Sequence, residues 1–443
     1  MTAEDPTVPL PPIGAATSRS LDRTFRLFSR LWRRVRRDVF IAPNDQFAAL
    51  NGLRAVACFL VVCMHVAMFT GNLSMMPDGR DQLSWFYRCI NGFWSGLDFF
   101  FVLSGFLIGR ILMKSLVSTG SVEFPSFFLR RSMRVFPAYY LVLTLAVFWY
   151  TRLDLASAKF FLAQNDWHQM LRNSWRNYVY VMNYSFRAGD PNPMSWSWSL
   201  CVEEQFYILL PPLLALLYRV KGRTMRPAIL LAVALLPLIG RALQYALYPD
   251  LFMQDGFYFR THNRIDELLV GVLIAYFYVH HSAGFLAWAE RFGTWTWVTG
   301  VALILSVWVF GGIQQRGLFA VVFQFPLVAL GAGLLVVNGI YLKNGMTRVL
   351  AHSAWYPWAR VSYGIYLIHP YVLFGLLELR SVFNEPNPLS PGRFLFLYAS
   401  VMLGSGLMAM VMFVLLERPL IDWGTQLSRR MRKRALARLP STQ

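Results

Sequence analysis

The sequence predicts an all-helical polytopic membrane protein, a bundle of about ten transmembrane helices with both termini cytosolic. Three observations carry that expectation. Of 443 residues, 56% are hydrophobic and 15% charged, and mean hydropathy is +0.42; a soluble domain carries nearer a quarter charged residues. Apolar runs of about twenty residues, enough to cross a bilayer, recur along the chain. Lys and Arg gather at both ends and in alternate connections, roughly twice as many on one side as on the other, which is the positive-inside pattern. The formal charge of +19 therefore fits segments facing anionic lipid, and no nucleic-acid partner is expected.

Taken in order, residues 1–44 form an N-terminal tail. Its first 18 residues contain Pro, Ala and Thr and read as disordered. From Arg23 to Phe40, Phe25, Phe28, Trp32, Val35 and Val39 recur at helical spacing, with Arg23, Arg26, Arg30, Arg33 and Arg37 opposite. That pattern predicts a basic amphipathic helix on the membrane surface, with membrane lipids as its partner. Residues 45–419 hold the expected spans, near 48–69, 92–113, 136–151, 199–218, 227–248, 265–281, 294–312, 318–338, 362–379 and 394–416. The longest outer connection, Arg152 to Ser197, is rich in Trp, Asn and Arg and suits a cap over an external opening. Residues 420–443 are a short basic tail. No secretory signal pattern opens the chain, so the first span is expected to direct insertion. No solenoid-type repeat is present.

Within this apolar background the charged groups stand out. Arg54 and His65 share the first span, LNGLRAVACFLVVCMHV, eleven positions apart. On a helix that separation is just over three turns, about 16 Å, so both lie on nearly one face. Intramembrane charge is costly and marks function by default. Topology places Arg54 near the cytosolic face and His65 near the outer one. Asp98, in GLDFFFVLSGF, and Glu203 and Glu204, in WSLCVEEQFY, are expected at the depth of His65 on two other helices. Imidazole titrates near neutrality and a carboxylate can fix its tautomer, so this cluster suits general-base catalysis. The rival reading makes His65 a buried polar residue satisfied by a neighbouring helix.

A second group sits at the cytosolic side. FLRRSMRVFPAYY brings Arg130, Arg131 and Arg134 to the start of the third span, and with Arg54 they suit an anion site. For Arg130 alone, contact with lipid headgroups is the better reading. Arg264 and Asp266, in RIDELLVG, are expected to pair with other helices. His369, in SYGIYLIHP, is expected to make a structural hydrogen bond, and Glu417–Arg418 a helix-end ion pair. The four cysteines and the His280–His281 pair lack metal-ligand spacing, and no metal is expected. Cys58 and Cys63 read as packing residues, and a Cys89–Cys201 disulfide is the minor alternative.

These motifs, in this order and closing on ERP, resemble the acyltransferase-3 family of membrane proteins from Asp45 to about Pro419. Asn51 stands where the family's opening motif usually has Asp. The resemblance implies a ten-helix enzyme of the bacterial inner membrane. Such enzymes move an acyl group, commonly acetyl, from cytosolic acyl-CoA to a hydroxyl of a saccharide or lipid-linked glycan. It further implies that Arg54, Arg131 and Arg134 hold coenzyme A phosphates and that His65 is the general base. Glu203 is then the first choice of orienting carboxylate, Asp98 the second, and Ser104 a candidate donor to the oxyanion. The extra periplasmic domain carried by some members is not expected here, and homo-oligomerisation is left open.

Two other classes compete. A secondary transporter or glycan flippase suits ten spans and buried charge, but the paired broken helices of an inverted repeat are not evident. A membrane sensor or scaffold accounts for the basic N-terminal helix and leaves the intramembrane histidine unexplained.

Overall fold

The computed structural model describes residues 29, 32–41, 47–70, 89–121, 123–152, 167–185, 192–222, 224–248, 258–310, 317–382 and 389–437. Residues 1–28, with the expected disordered tail and the first part of the basic helix, lie outside them. Among the described residues every regular element is helical. The principal helices are α1 (Ala48–Phe69), α2 (Gly96–Thr119), α3 (Phe124–Arg152), α4 (Trp167–Tyr178), α5 (Trp198–Leu217), α6 (Met225–Leu247), α7 (Ile265–His280), α8 (Ser282–Arg291), α9 (Gly293–Phe310), α10 (Gln324–Tyr341), α11 (Trp355–Val382), α12 (Pro391–Met412) and α13 (Arg418–Ala437).

Among the described residues, eight helices are long and apolar enough to cross a membrane. They are built on α1, α2, α5, α6, α9, α10, α11 and α12, and they make this a multi-pass membrane protein. Two expected spans depart from the pattern for identifiable reasons. The third falls in α3, whose first half carries the arginines of FLRRSMR and is therefore not a continuous apolar run. The sixth is α7, which stops after 16 residues and turns by 113° into α8.

Glycine sets the closest approach in the core. A Cβ on Gly105 of α2 would land on the Leu268 carbonyl oxygen of α7, and one on Gly271 would land on the Val102 carbonyl. Hydrogen at these positions lets two backbones touch, the usual device for tight helix pairs in lipid. Gly52 does the same for α1 against the Leu350 carbonyl, two residues before Arg54.

The pair that positions the chemistry is α1 with α11. Cys58 Sγ donates to the Ser362 carbonyl at 3.9 Å, and His65 Nδ1 meets His369 Nε2 at 2.7 Å. Both contacts join residues 304 apart in sequence. The two helices therefore run parallel and in register. The contacts recur after seven residues, two helical turns, which keeps a single seam between the helices. Helices α5 and α11 run antiparallel, since Tyr371 reaches Pro193 while Tyr366 reaches Trp196 and Ser199.

Beyond the core, Arg130 Nη1 donates to Ser126 Oγ at 2.6 Å and Ser428 Oγ at 2.5 Å, so it fastens α13 to α3. Cys89 and Cys201 are free thiols; the disulfide alternative does not hold.

Candidate active site

His65 and His369 stack at 5.0 Å between ring centroids. Pro370 has no N–H, which opens the hydrogen-bond ladder beside His369. His369 Nδ1 lies 3.0 Å from the Ile365 carbonyl oxygen. A carbonyl only accepts, so Nδ1 of His369 carries its proton. Neutral His369 then presents an unprotonated Nε2, and His65 must donate to it through Nδ1–H. The free lone pair of His65 is thereby on Nε2. That atom has no hydrogen-bond partner among the described residues. A fixed tautomer with an open basic nitrogen is what a general base requires.

The carboxylates expected beside His65 are elsewhere. Glu203 accepts from Arg131 Nη2 at 3.2 Å and from Tyr207 OH at 2.8 Å. Glu204 lies 3.5 Å from Arg131 Nε. The level of His369 on α5 is occupied by the stretch Pro193–Ser199, because a 3₁₀ turn at Ser195–Ser197 carries the start of that helix deep into the bundle. Glu203 thus falls a turn or more toward the opposite end. Asp98 is also off the histidine level: Gly96 packs on Ala57 to Val61, ahead of His65 on α1. Its carboxylate is ion-paired with Arg264, which also binds Glu267 at 2.8 Å. Asp266 pairs with Arg241 at 2.7 Å, so Arg264 and Asp266 each find a partner on another helix, as expected. Ser104 is hydrogen-bonded to Tyr207 and belongs to the Glu203 group, not to His65.

At the other end of α1 the structure gathers the expected arginines and adds one. The Arg131 guanidinium stacks on the Tyr207 ring at 3.8 Å. Arg134 lies within the electrostatic reach of Arg54, Arg131 and Arg360, with Glu417 as its opposing charge. Arg54 also acts on Glu203. Arg360, on α11, was not legible as a site residue, because a cation at a helix start looks like any positive-inside charge. Its guanidinium covers the Phe413 ring at 4.9 Å and faces Glu417. Glu417 is not the partner of Arg418, which binds Asp422 at 3.1 Å. Four guanidinium groups therefore meet Glu203, Glu204 and Glu417, leaving formal positive charge to receive an anion.

The two groups are joined by α1 and α11, each carrying an arginine and, eleven residues on in α1 and nine in α11, a histidine. With that arrangement established, comparison with known proteins is decisive. The profile of the acyltransferase-domain family matches residues 47–410. The chain belongs to that family. Among curated proteins it is 30% identical over 227 residues to "Putative peptidoglycan O-acetyltransferase YrhL" of Bacillus subtilis, covering 51% of this chain and 32% of that protein. It is 29% identical over 238 residues to "Peptidoglycan O-acetyltransferase OatA" of Listeria monocytogenes, covering 52% of this chain and 33% of that one. The matched region is thus about a third of each relative's length. No solved structure matches.

Proposed function

We propose that this acyltransferase moves an acetyl group from cytosolic acetyl-CoA to a saccharide hydroxyl at the bacterial inner membrane, with peptidoglycan or another surface glycan as acceptor. The observation that carries the proposal is the hydrogen-bond chain from the Ile365 carbonyl through His369 to His65, on the helix that also carries Arg54. The arginine cluster supplies recognition of the phosphates of coenzyme A. His65 Nε2 takes the proton of the acceptor hydroxyl as its oxygen attacks the thioester carbonyl. The C–S bond breaks, an ester forms, and the proton held on His65 neutralises the departing thiolate. His369 shares the positive charge that His65 acquires, the part a carboxylate plays in other base-assisted acyl transfers.

Mass spectrometry of cell-surface glycans with and without the protein tests this reading. Loss of an ester-linked acetyl group when the chain is absent, restored by the wild type and not by His65→Ala, is the expected result. An unchanged acetyl content in a strain making only inserted His65→Ala protein contradicts it.

A further inference from the structure

A groove of about 490 Å³ opens on the flank of the bundle between α11 and α12, and neither the histidine pair nor the four arginines of the cluster line it. Its walls are Pro357 and Trp358 of α11 with Leu403, Leu407 and Met410 of α12, and Phe40 of the N-terminal segment lines it as well. Leu403 and Leu407 are more than half exposed, so this flank faces lipid in a membrane. Gly406 keeps the groove open: a Cβ there would come within 3.0 Å of the Trp358 ring.

The segment that brings Phe40 to the groove has its own pattern. Val39 is fully buried against the bundle and anchors a π-helical turn, Arg36–Phe40. Trp32, Phe40 and Ile41 are exposed apolar groups, and Arg33, Arg34, Arg36 and Arg37 are exposed cations. Arg37 is tied to Asp38 at 2.8 Å, and that guanidinium holds the Asp38 carboxyl below its usual range, helped by the charges of Arg418 and Arg360. An apolar slot for a hydrocarbon chain thus ends at a cationic rim. We infer that this groove and the Arg33–Arg37 segment together bind one anionic phospholipid, chain in the groove and phosphate at the arginines. Charge complementarity selects the headgroup, because basic residues at the membrane surface attract anionic lipid. Bound there, the lipid touches Trp358, which packs on Phe59 of α1 at 5.3 Å and sits two residues from Arg360. It would therefore brace both helices that carry the candidate site.

The test uses the purified full chain, stripped of lipid in detergent and offered equal phosphatidylglycerol and phosphatidylcholine of the same chain length, with bound lipid read by native mass spectrometry. Retention of phosphatidylglycerol over phosphatidylcholine by about five-fold or more is expected. Leu407→Trp fills the groove and should remove the bound lipid, while Leu243→Trp, on the exposed face of α6, should not. The combined change Arg33→Gln, Arg34→Gln and Arg36→Gln should abolish the preference between headgroups; it decides the matter if Leu407→Trp proves unstable. Equal retention of the two lipids by wild type overturns the inference, as does a preference that survives the arginine changes. Lipid that binds only after removal of residues 1–28 would assign the groove to that segment instead.

Discussion

If His65 is the base we propose, its chemistry depends on which ring nitrogen holds the proton, and the bond to His369 fixes that. Removing His369 leaves the His65 ring free to rotate and to adopt the wrong tautomer. His369→Ala is expected to lower kcat for acetyl transfer by about 100-fold with little change in KM for acetyl-CoA. His369→Gln keeps a carbonyl that can accept from Nδ1–H, and should recover a good part of the loss. Steady-state kinetics on reconstituted protein check both; kcat within two-fold of wild type for His369→Ala would leave His369 with no positioning role. Asp98 is a contrasting residue. Fully buried and bonded to Arg264, it holds α2 to α7, and Asp98→Ala leaves that buried cation with Glu267 as its remaining carboxylate. The expected cost is about 1–3 kcal/mol, seen as a drop in Tm. A variant that is dead yet melts like wild type would return Asp98 to the reaction.

The helices themselves were largely readable, because an apolar run of twenty residues has few other fates in a chain this hydrophobic. Several starts were readable too, since α1, α5, α7 and α9 begin within a residue of expectation, but α3 and α11 begin well before the apolar run. The ninth span was expected at 362–379, which puts His369 seven residues from its start. In the structure α11 starts at Trp355. His369 then lies about as deep in α11 as His65 lies in α1, and the two rings meet. At α5 the start was as expected, but the buried 3₁₀ turn ahead of it, which no apolar run announces, sets Glu203 and Glu204 away from the histidine level. Close packing of α2 on α7 makes a graded expectation. Gly105→Ala and Gly271→Ala force a methyl into backbone and should cost about 1–3 kcal/mol or more. Gly109→Ala meets the Ala275 methyl at 3.2 Å and should cost less. Melting curves of the three variants in one detergent give the order directly.

Across the whole molecule, α1 and α11 form a parallel frame with a cation cluster at one end and an imidazole pair at the other. Arg54 and His65 were legible as the two costly residues of one span. Topology also set them toward opposite sides, with Arg131 and Arg134 beside Arg54; what the sequence did not show was Arg360, which reaches the cluster from α11. If the frame separates recognition from chemistry, Arg360→Ala should resemble Arg54→Ala, each raising KM for acetyl-CoA by about ten-fold or more. Neither should act mainly on kcat.

The most direct test of that separation is turnover measured against acetyl-CoA concentration for Arg54→Ala and His65→Ala in the same proteoliposomes. The expected result is a raised KM with substantial kcat for Arg54→Ala, and no turnover at any donor concentration for His65→Ala, which still binds acetyl-CoA as wild type does. Saturable transfer by His65→Ala, or loss of acetyl-CoA binding in that variant, would contradict the assignment of the two ends of α1.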